Sequence, residues 1–331
     1  MNISVAPSAA YKHRATMESA AHDDVELQVA QFVATLVEHT VLNDCLSQIH
    51  AMHSAARHHR GKARGMLIYG LTGTGKSTAA KEYEQRYPRS QASDRVLIPV
   101  LRVELPGHPT AKAIGEAILI ALGDPLPHAG SAEFRMNRVR KLFKECQVEL
   151  VILDEFQHIT DNLNGRDRNI AADTIKNLMN DTGIPCVFIG TPSCRAYFVQ
   201  NQQLGRRCSP KIGIRPFGFG TAADRTDFLR LLLALHHKLP FTGPSALIDP
   251  QTAEALHFAS FGLVGLLIQL VECALRNTLL ARATQLTREA LHQAFAEVIY
   301  PRCPSNRNPF DKRFNCMPLT GPEEPFHGFG A

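Results

Sequence analysis

No two of the eight cysteines form a CxxC pair, and their positions (45, 146, 186, 194, 208, 273, 303 and 316) follow no regular spacing. A zinc site or a disulfide framework is therefore not expected, and buried reduced thiols are the plain reading. The first twenty residues lack the apolar core that a secretory leader needs. The longest apolar stretch, 261–271, is too short to span a bilayer and is interrupted by Gln269. A cytoplasmic protein with no membrane partner is the expectation. Charged residues make up only 20% of the chain against 44% hydrophobic. That balance excludes a disordered composition and leaves apolar material for one large core or two smaller ones. No internal repeat is present. The formal net charge is +5, which permits a polyanionic partner without requiring one.

Along the chain, residues 1–22 are small and polar and read as a flexible N-terminus. Val25, Leu27, Val29, Phe32, Val33 and Leu36 begin a helical pattern, and Leu42, Leu46, Ile49 and Met52 continue it. A basic stretch over 57–65 (Arg57, His58, His59, Arg60, Lys62, Arg64) reads either as a phosphate or nucleic-acid contact or as a solvated helix end. Apolar runs at 66–69, 96–103, 150–153 and 186–189, with a weaker one at 212–215, read as buried parallel strands. Helical segments at 77–86, 110–122, 132–146 and 170–181 separate them. Alternation of this kind predicts an α/β fold: a five-stranded parallel sheet flanked by helices. After 221 the strand signals stop. Helices are expected at 224–235, 250–258, 263–280 and 287–298, with Asp249 and Thr287 as N-caps, forming a small all-helical lid. From Pro301 the tail is rich in Pro, Gly and Asn and reads as extended. The expected division is a flexible N-terminus (1–22), a nucleotide-binding α/β domain with N-terminal helices (23–220), a lid (221–300) and a tail (301–331).

One segment carries explicit chemistry. The strand Met66-Leu-Ile-Tyr69 runs into Gly70, Leu71, Thr72, Gly73, Thr74, Gly75, Lys76 and Ser77, and a helix follows. This is a phosphate-binding P-loop in its required strand–loop–helix context. Glycines let backbone N–H groups turn inward, and the helix start adds its positive end. Lys76 is assigned to the β- and γ-phosphates and Ser77 to Mg²⁺. ATP and Mg²⁺ are the ligands expected. In Leu150-Val-Ile-Leu-Asp154-Glu155 a buried strand ends in two carboxylates. Asp154 is the candidate for the metal, and Glu155 for the general base that orients an attacking water. The strand at 186–189 ends in Gly190-Thr191. Thr191 either senses the γ-phosphate or serves as a turn residue before Pro192.

Acid is missing between Thr182 and Ala223, where Arg195, Arg206, Arg207, Lys211 and Arg215 lie. Arg206 or Arg207, the latter slightly favoured by position, is a candidate finger toward a neighbouring subunit's γ-phosphate. The other reading is a solvated or DNA-facing basic loop.

Taken together, GLTGTGKS, LVILDEFQH, a strand ending in Gly-Thr, a basic loop and a helical lid resemble an AAA+ ATPase. Asp154-Glu155-Phe156-Gln157-His158 together with Met66-Leu-Ile-Tyr-Gly70 is similar to the TniB/TnsC group of transposition ATPases, over residues 40–300. That group serves Tn7-like elements, including CRISPR-associated ones. The resemblance implies ATP-bound rings or filaments, homo-oligomers on double-stranded DNA, that link a target-selection protein to transposase subunits. It also implies hydrolysis that controls assembly. It carries nucleotide binding to Gly70–Thr78, the metal and water roles to Asp154 and Glu155, the sensor position to Thr191 and the finger to Arg207 or Arg206. One departure stands out: Phe261-Gly-Leu-Val-Gly-Leu-Leu267 carries no sensor arginine, and none follows until Arg276.

DNA contact is expected mainly at phosphates, through cations. Arg135, Arg138 and Lys141 recur at three-residue spacing and form one candidate stripe; the other reading is an ordinary amphipathic helix. Thr110 and Lys112, in the loop after the second strand, form another. Other function classes are a helicase loader or replication initiator, a small-molecule phosphotransferase, and a scaffold that holds ATP without turnover. The lid after the last strand favours AAA+ over a kinase.

Overall fold

Short runs of branched apolar residues form strands buried on both faces, and intervening helices return the chain so that such strands pair in parallel. The computed structural model describes residues 9–34, 37–58 and 63–329. In chain order the elements are α1 (Ala9–Ala34), α2 (Thr40–His58), β1 (Gly65–Gly70), α3 (Lys76–Gln85), β2 (Ser90–Gln91), β3 (Val96–Leu97) and β4 (Val100–Glu104). There follow α4 (Ala111–Leu122), α5 (Ala132–Glu145), β5 (Leu150–Asp154), α6 (Gln157–Asp161), α7 (Gly165–Thr182), β6 (Cys186–Gly190), α8 (Pro192–Gln200), α9 (Gln202–Gly205) and β7 (Cys208–Ile214). Helices α10 (Ala222–His236), α11 (Pro250–Ser260), α12 (Val264–Leu280) and α13 (Arg288–Ala294) complete the set. The elements group into two compact units, one spanning Thr40–Arg215 and the other joining Met1–His39 to Pro216–Ala331.

The Thr40–Arg215 unit is built on a five-stranded parallel sheet in the order β4-β5-β6-β1-β7. Leu67, Leu101, Val151, Leu153 and Phe188 are buried on it. The run expected as one strand over 96–103 is cut at Pro99, which has no N–H to donate. Val96–Leu97 pairs with Ser90–Gln91 as a separate antiparallel hairpin, and only Val100–Glu104 enters the main sheet. Conversely, the last strand starts at Cys208 rather than at 212, because its pairing to β1 carries it through the polar Ser209-Pro210-Lys211. Helix α2 is pinned to α3, the helix that follows the P-loop. The His53 ring, buried between them, lies 3.0 Å from the Tyr83 hydroxyl and 3.1 Å from Glu149. Arg57 also bonds Glu149, at 2.7 Å from Nε. His59, Arg60 and Lys62 of the basic stretch lie outside the described residues.

In the second unit α1 packs on α12, with Val25, Val29 and Phe32 buried. Glu26 accepts from Arg276 Nε at 2.9 Å, and Glu272 accepts from the same guanidinium at 3.0 Å. The helix begins at Ala9, inside the segment expected to be flexible over 1–22, in a sequence rich in helix-forming alanine. Residues 1–8 and Leu36 lie outside the described set. The compact units also differ from the expected ranges: α1 groups with the C-terminal helices and not with the sheet. Asp249 and Thr287 cap α11 and α13, accepting from Thr252 N at 2.9 Å and Ala290 N at 3.2 Å. Thr221 and Asp224 form a reciprocal capping box at α10. Among the described residues no single helix is long and apolar enough to cross a membrane.

The tail after Pro301 has almost no regular structure, yet it is folded back on its own unit. Phe310, Leu319 and Phe326 are buried. Arg307 gathers Glu324, Asn315 and the Pro318 carbonyl, with Nη2 2.7 Å from Glu324 and 2.8 Å from Pro318 O. Phe326 packs beside Phe261, ring centroids 5.3 Å apart. Phe326→Ala should cost about 3 kcal/mol of this unit's stability by leaving a cavity. Trypsin should then cut the tail at Lys312 and Arg313 faster than in the parent protein. Burial holds the His39 imidazole down to about 4 from its ordinary 6.5. The unfolded chain therefore takes up that proton first, so stability is complete above about 6.5 and is lost as pH falls through about 4. Urea midpoints measured across this range should fall less steeply for His39→Gln.

Candidate functional site

A parallel sheet brings the carboxyl ends of its strands to one edge. Tyr69 of β1 is level with Gly190 of β6, and Leu153 of β5 is level with Phe188. The P-loop, Asp154 and Thr191 are thus gathered at that edge. Gly70 sits where a Cβ would come within 2.3 Å of the Ile214 carbonyl oxygen, so only glycine lets β1 turn there beside β7. Gly73 and Gly75 have φ of 83° and 92°, the left-handed region that lets the loop coil. Thr74, buried, closes the loop by donating to Leu71 O at 2.8 Å. The Lys76 ammonium lies at the mouth, donating to Gly70 O at 2.8 Å and Leu71 O at 2.7 Å. Burial pulls its pKa below the ordinary lysine value, while Asp154 and Glu155 oppose that shift.

Ser77, on the first turn of α3, donates to Asp154 Oδ1 at 3.2 Å, joining residues 77 positions apart. Asp154 is only 2% exposed. A hydroxyl and a carboxylate side by side, both hard oxygen donors, fit a Mg²⁺ that completes its shell with phosphate and water. Among the described residues no cluster of three or more His, Cys, Asp or Glu side chains could hold a metal without such help. Glu155 follows with φ of 58°, a left-handed conformation that costs a non-glycine residue about 1–2 kcal/mol. Its backbone N–H donates to Asp154 Oδ1 at 3.0 Å, and its carboxylate accepts from Gln157 Nε2. Thr191 occupies the N-cap position of α8 without a side-chain capping bond; its hydroxyl lies instead 2.8 Å from Ser193 Oγ, which donates to Asp161 at 3.1 Å. Arg102 was not singled out from the sequence. It bonds Glu84 of α3 at 3.1 Å and comes within 3.9 Å of Asp154. Its signal was the one cation inside an otherwise apolar strand interior.

A family model described as "Bacterial TniB protein" matches residues 31–212, more than half of the chain and nearly all of the sheet unit. The chain belongs to the bacterial TniB family. No curated protein matches its sequence. Among solved structures, the TniB chain is similar to the Aeropyrum pernix ORC1 protein in complex with DNA, at TM-score 0.62 and 17% identity, covering 84% of this chain and 70% of that one. It is also similar to the Aeropyrum pernix ORC2 protein in its ADPNP–ADP complexes, at TM-score 0.60 and 14% identity over 84% and 73% of the two chains. The Cdc6p structure from Pyrobaculum aerophilum follows at TM-score 0.59 and 14% identity over 84% and 75%. At these identities the likeness shows the fold: this TniB protein has the architecture of AAA+ ATPases, a five-stranded parallel sheet flanked by helices with a C-terminal helical region.

The candidate arginines of the TniB chain separate by position and burial. Arg206 and Arg207 precede β7, whose first residue Cys208 is level with Gly65 at the start of β1. A six-residue strand, roughly 20 Å long, therefore separates them from their own P-loop. Arg207 bonds Asn180 there. The stripe expected on α5 is corrected. Arg135 is 2% exposed and points inward to Glu116 and the carbonyls of His128 and Lys112. Arg138 is committed to Asp124 and to Leu126 O at 2.9 Å. Only Lys141 is open to solvent, 75% exposed. The close approach of α4 at Gly115, against the Arg135 Cβ, turns that face into an interhelical contact. Thr110 caps α4, accepting from Ala113 N at 3.2 Å, and is exposed. Lys112, in the first turn of α4, is exposed as well. Arg135→Ala should lower the thermal midpoint measurably, whereas Lys141→Ala should leave it unchanged; a thermal melt of both variants checks this.

Proposed function

We propose that this protein is an ATP-dependent regulator of transposition that assembles as a homo-oligomer on double-stranded DNA. In this reading it links a target-selection protein to transposase subunits, and hydrolysis controls the assembly. The observation that carries the reading is the TniB family match over 31–212, a span that contains the P-loop, Asp154, Glu155, Thr191 and both candidate finger arginines. Lys76 and the loop amides bind the β- and γ-phosphates. When bound between Ser77 and Asp154, Mg²⁺ supplies charge neutralisation on the phosphate oxygens. Glu155, fixed by its backbone and by Gln157, holds the attacking water and accepts its proton. Thr191 lies on the same edge as a candidate contact for that water or for the γ-phosphate.

Arg206 and Arg207 face away from their own phosphate site, so a finger role requires a neighbouring subunit. Lys112 and Thr110, with Lys141, remain the candidates for DNA phosphates. A replication-initiator or helicase-loader role is the second reading, supported by the fold likeness to ORC and Cdc6 proteins.

Electron microscopy of the purified protein with duplex DNA, with and without ATP or a slowly hydrolysed analogue, tests the assembly. Rings or filaments should form on DNA only with nucleotide and should vanish in Lys76→Ala. Glu155→Gln should keep nucleotide-dependent assembly while turnover falls by about a hundred-fold or more. A monomer indifferent to both DNA and nucleotide overturns the proposal.

A further inference from the structure

The short segment from Gln157 to Asn162 touches three parts of the site at once. Toward the carboxylates, Gln157 Nε2 donates to Glu155 Oε2. Toward the end of β4, the His158 ring places Nδ1 2.9 Å from the Leu105 carbonyl oxygen. A carbonyl only accepts, so the proton sits on Nδ1, and Nε2 is left facing Glu155 Oε2 at 3.9 Å. Asn162 Nδ2 donates to Gly107 O at 2.8 Å, in the same loop. Toward β6, Asp161 and Thr160 reach Ser193 and, through it, Thr191.

The loop held by His158 and Asn162 is the 105–110 loop, at whose far end lie Thr110 and, just beyond, Lys112. Its tip is open: Gly107, His108 and Thr110 are exposed, and a Cβ on Gly107 would meet nothing within 4 Å. Its base is not open. Leu105 is buried, and its N–H donates to Asp154 O at 3.1 Å. Asn162, just past α6, holds the tip at Gly107, and His158 of α6 holds the base at Leu105, so a displacement of the loop is felt at both ends of the turn that carries the clamp on Glu155. Glu155 has a left-handed backbone, held by its N–H bond to Asp154 Oδ1. The Gln157 Oε1 atom is buried without a partner and packs where a Cβ on Gly190 would come within 3.0 Å, so the clamp has little room to shift except with α6.

We propose that α6 couples DNA engagement at the 105–110 loop to the position of the Glu155 carboxylate, with His158 as the positioning residue and Asn162 as its second tether. This rests on the proposed ATPase and DNA-binding function. His158 does not touch the reacting atoms; it sets where Glu155 sits when the loop is occupied.

The test is steady-state ATP hydrolysis by the full-length protein, with and without mixed-sequence duplex DNA, alongside nucleotide affinity measured by titration. In His158→Ala the ratio of the DNA-stimulated to the DNA-free rate should fall to unity, with kcat reduced and nucleotide affinity unchanged. Asn162→Ala should reduce the ratio in the same direction. His158→Asn should restore it, because the Asn Nδ2 amide occupies the place of the imidazole Nδ1 and can still donate to Leu105 O. Stimulation retained in both alanine variants, or no recovery in His158→Asn, overturns the coupling. A parent protein that hydrolyses ATP at a rate indifferent to bound DNA overturns the coupling and leaves the ATPase reading standing. A parent protein that neither binds DNA nor hydrolyses ATP overturns the function on which the coupling rests.

Discussion

The hydrogen bond from Ser77 to Asp154 depends on a sheet in which strands far apart in sequence end level with one another. β5 lies beside β6, and β6 beside β1, with a parallel register that leaves Gly70, Asp154 and Gly190 along one edge. Slide that register by one residue and every side chain of the moved strand changes face. Asp154 would then leave Ser77, and the hard-oxygen pair at the mouth of the loop would be lost. Close packing enforces the register. Gly65 and Gly70 both sit where a Cβ would collide with neighbours, at 2.6 Å from Cys208 Sγ and 2.3 Å from Ile214 O. The Phe156, Phe188 and Phe198 rings lock together under the site, with centroids 5.1–5.2 Å apart.

Polar chemistry is concentrated where that packing stops. Lys76 and Asp154 are both nearly inaccessible, and each is held by several partners: two carbonyls for the lysine, and a hydroxyl and a backbone amide for the aspartate. Such a site is expensive to desolvate and therefore strongly responsive to a ligand carrying opposite charge. Glu155 stores backbone strain next to it. The three features together describe a phosphate site whose side chains are oriented by the fold in advance.

Burial also redistributes the basic residues. Arg135 and Arg138 serve helix and loop contacts around α4 and α5, and Arg276 joins α1 to α12. Arg307 organises a tail with almost no secondary structure of its own. Long guanidinium side chains do this well because five donors in a plane can satisfy several carbonyls and a carboxylate at once. A positive charge counted from composition is therefore a poor guide to a nucleic-acid surface until its partners are known.

The amino-acid sequence by itself determined the α/β character, the five sheet strands in outline, the helical C-terminal region, the P-loop and the acidic pair after β5. Each of these is a local pattern: an apolar run, a helical period, a glycine spacing. The N-caps at Asp249 and Thr287 were legible for the same reason. Tertiary structure alone decided the rest. Pro99 split a continuous apolar run because the sheet needed an N–H it cannot donate. Arg135 turned inward because Gly115 lets α4 approach it. The tail folded back because Phe310, Leu319 and Phe326 found apolar cover. The link from Gln157, His158 and Asn162 to Glu155 and the 105–110 loop spans more than fifty residues of sequence, and no spacing rule records it. Local patterns encode which element forms, whereas the partner of a polar side chain is set by whichever chain segment packing brings within about 3 Å of it.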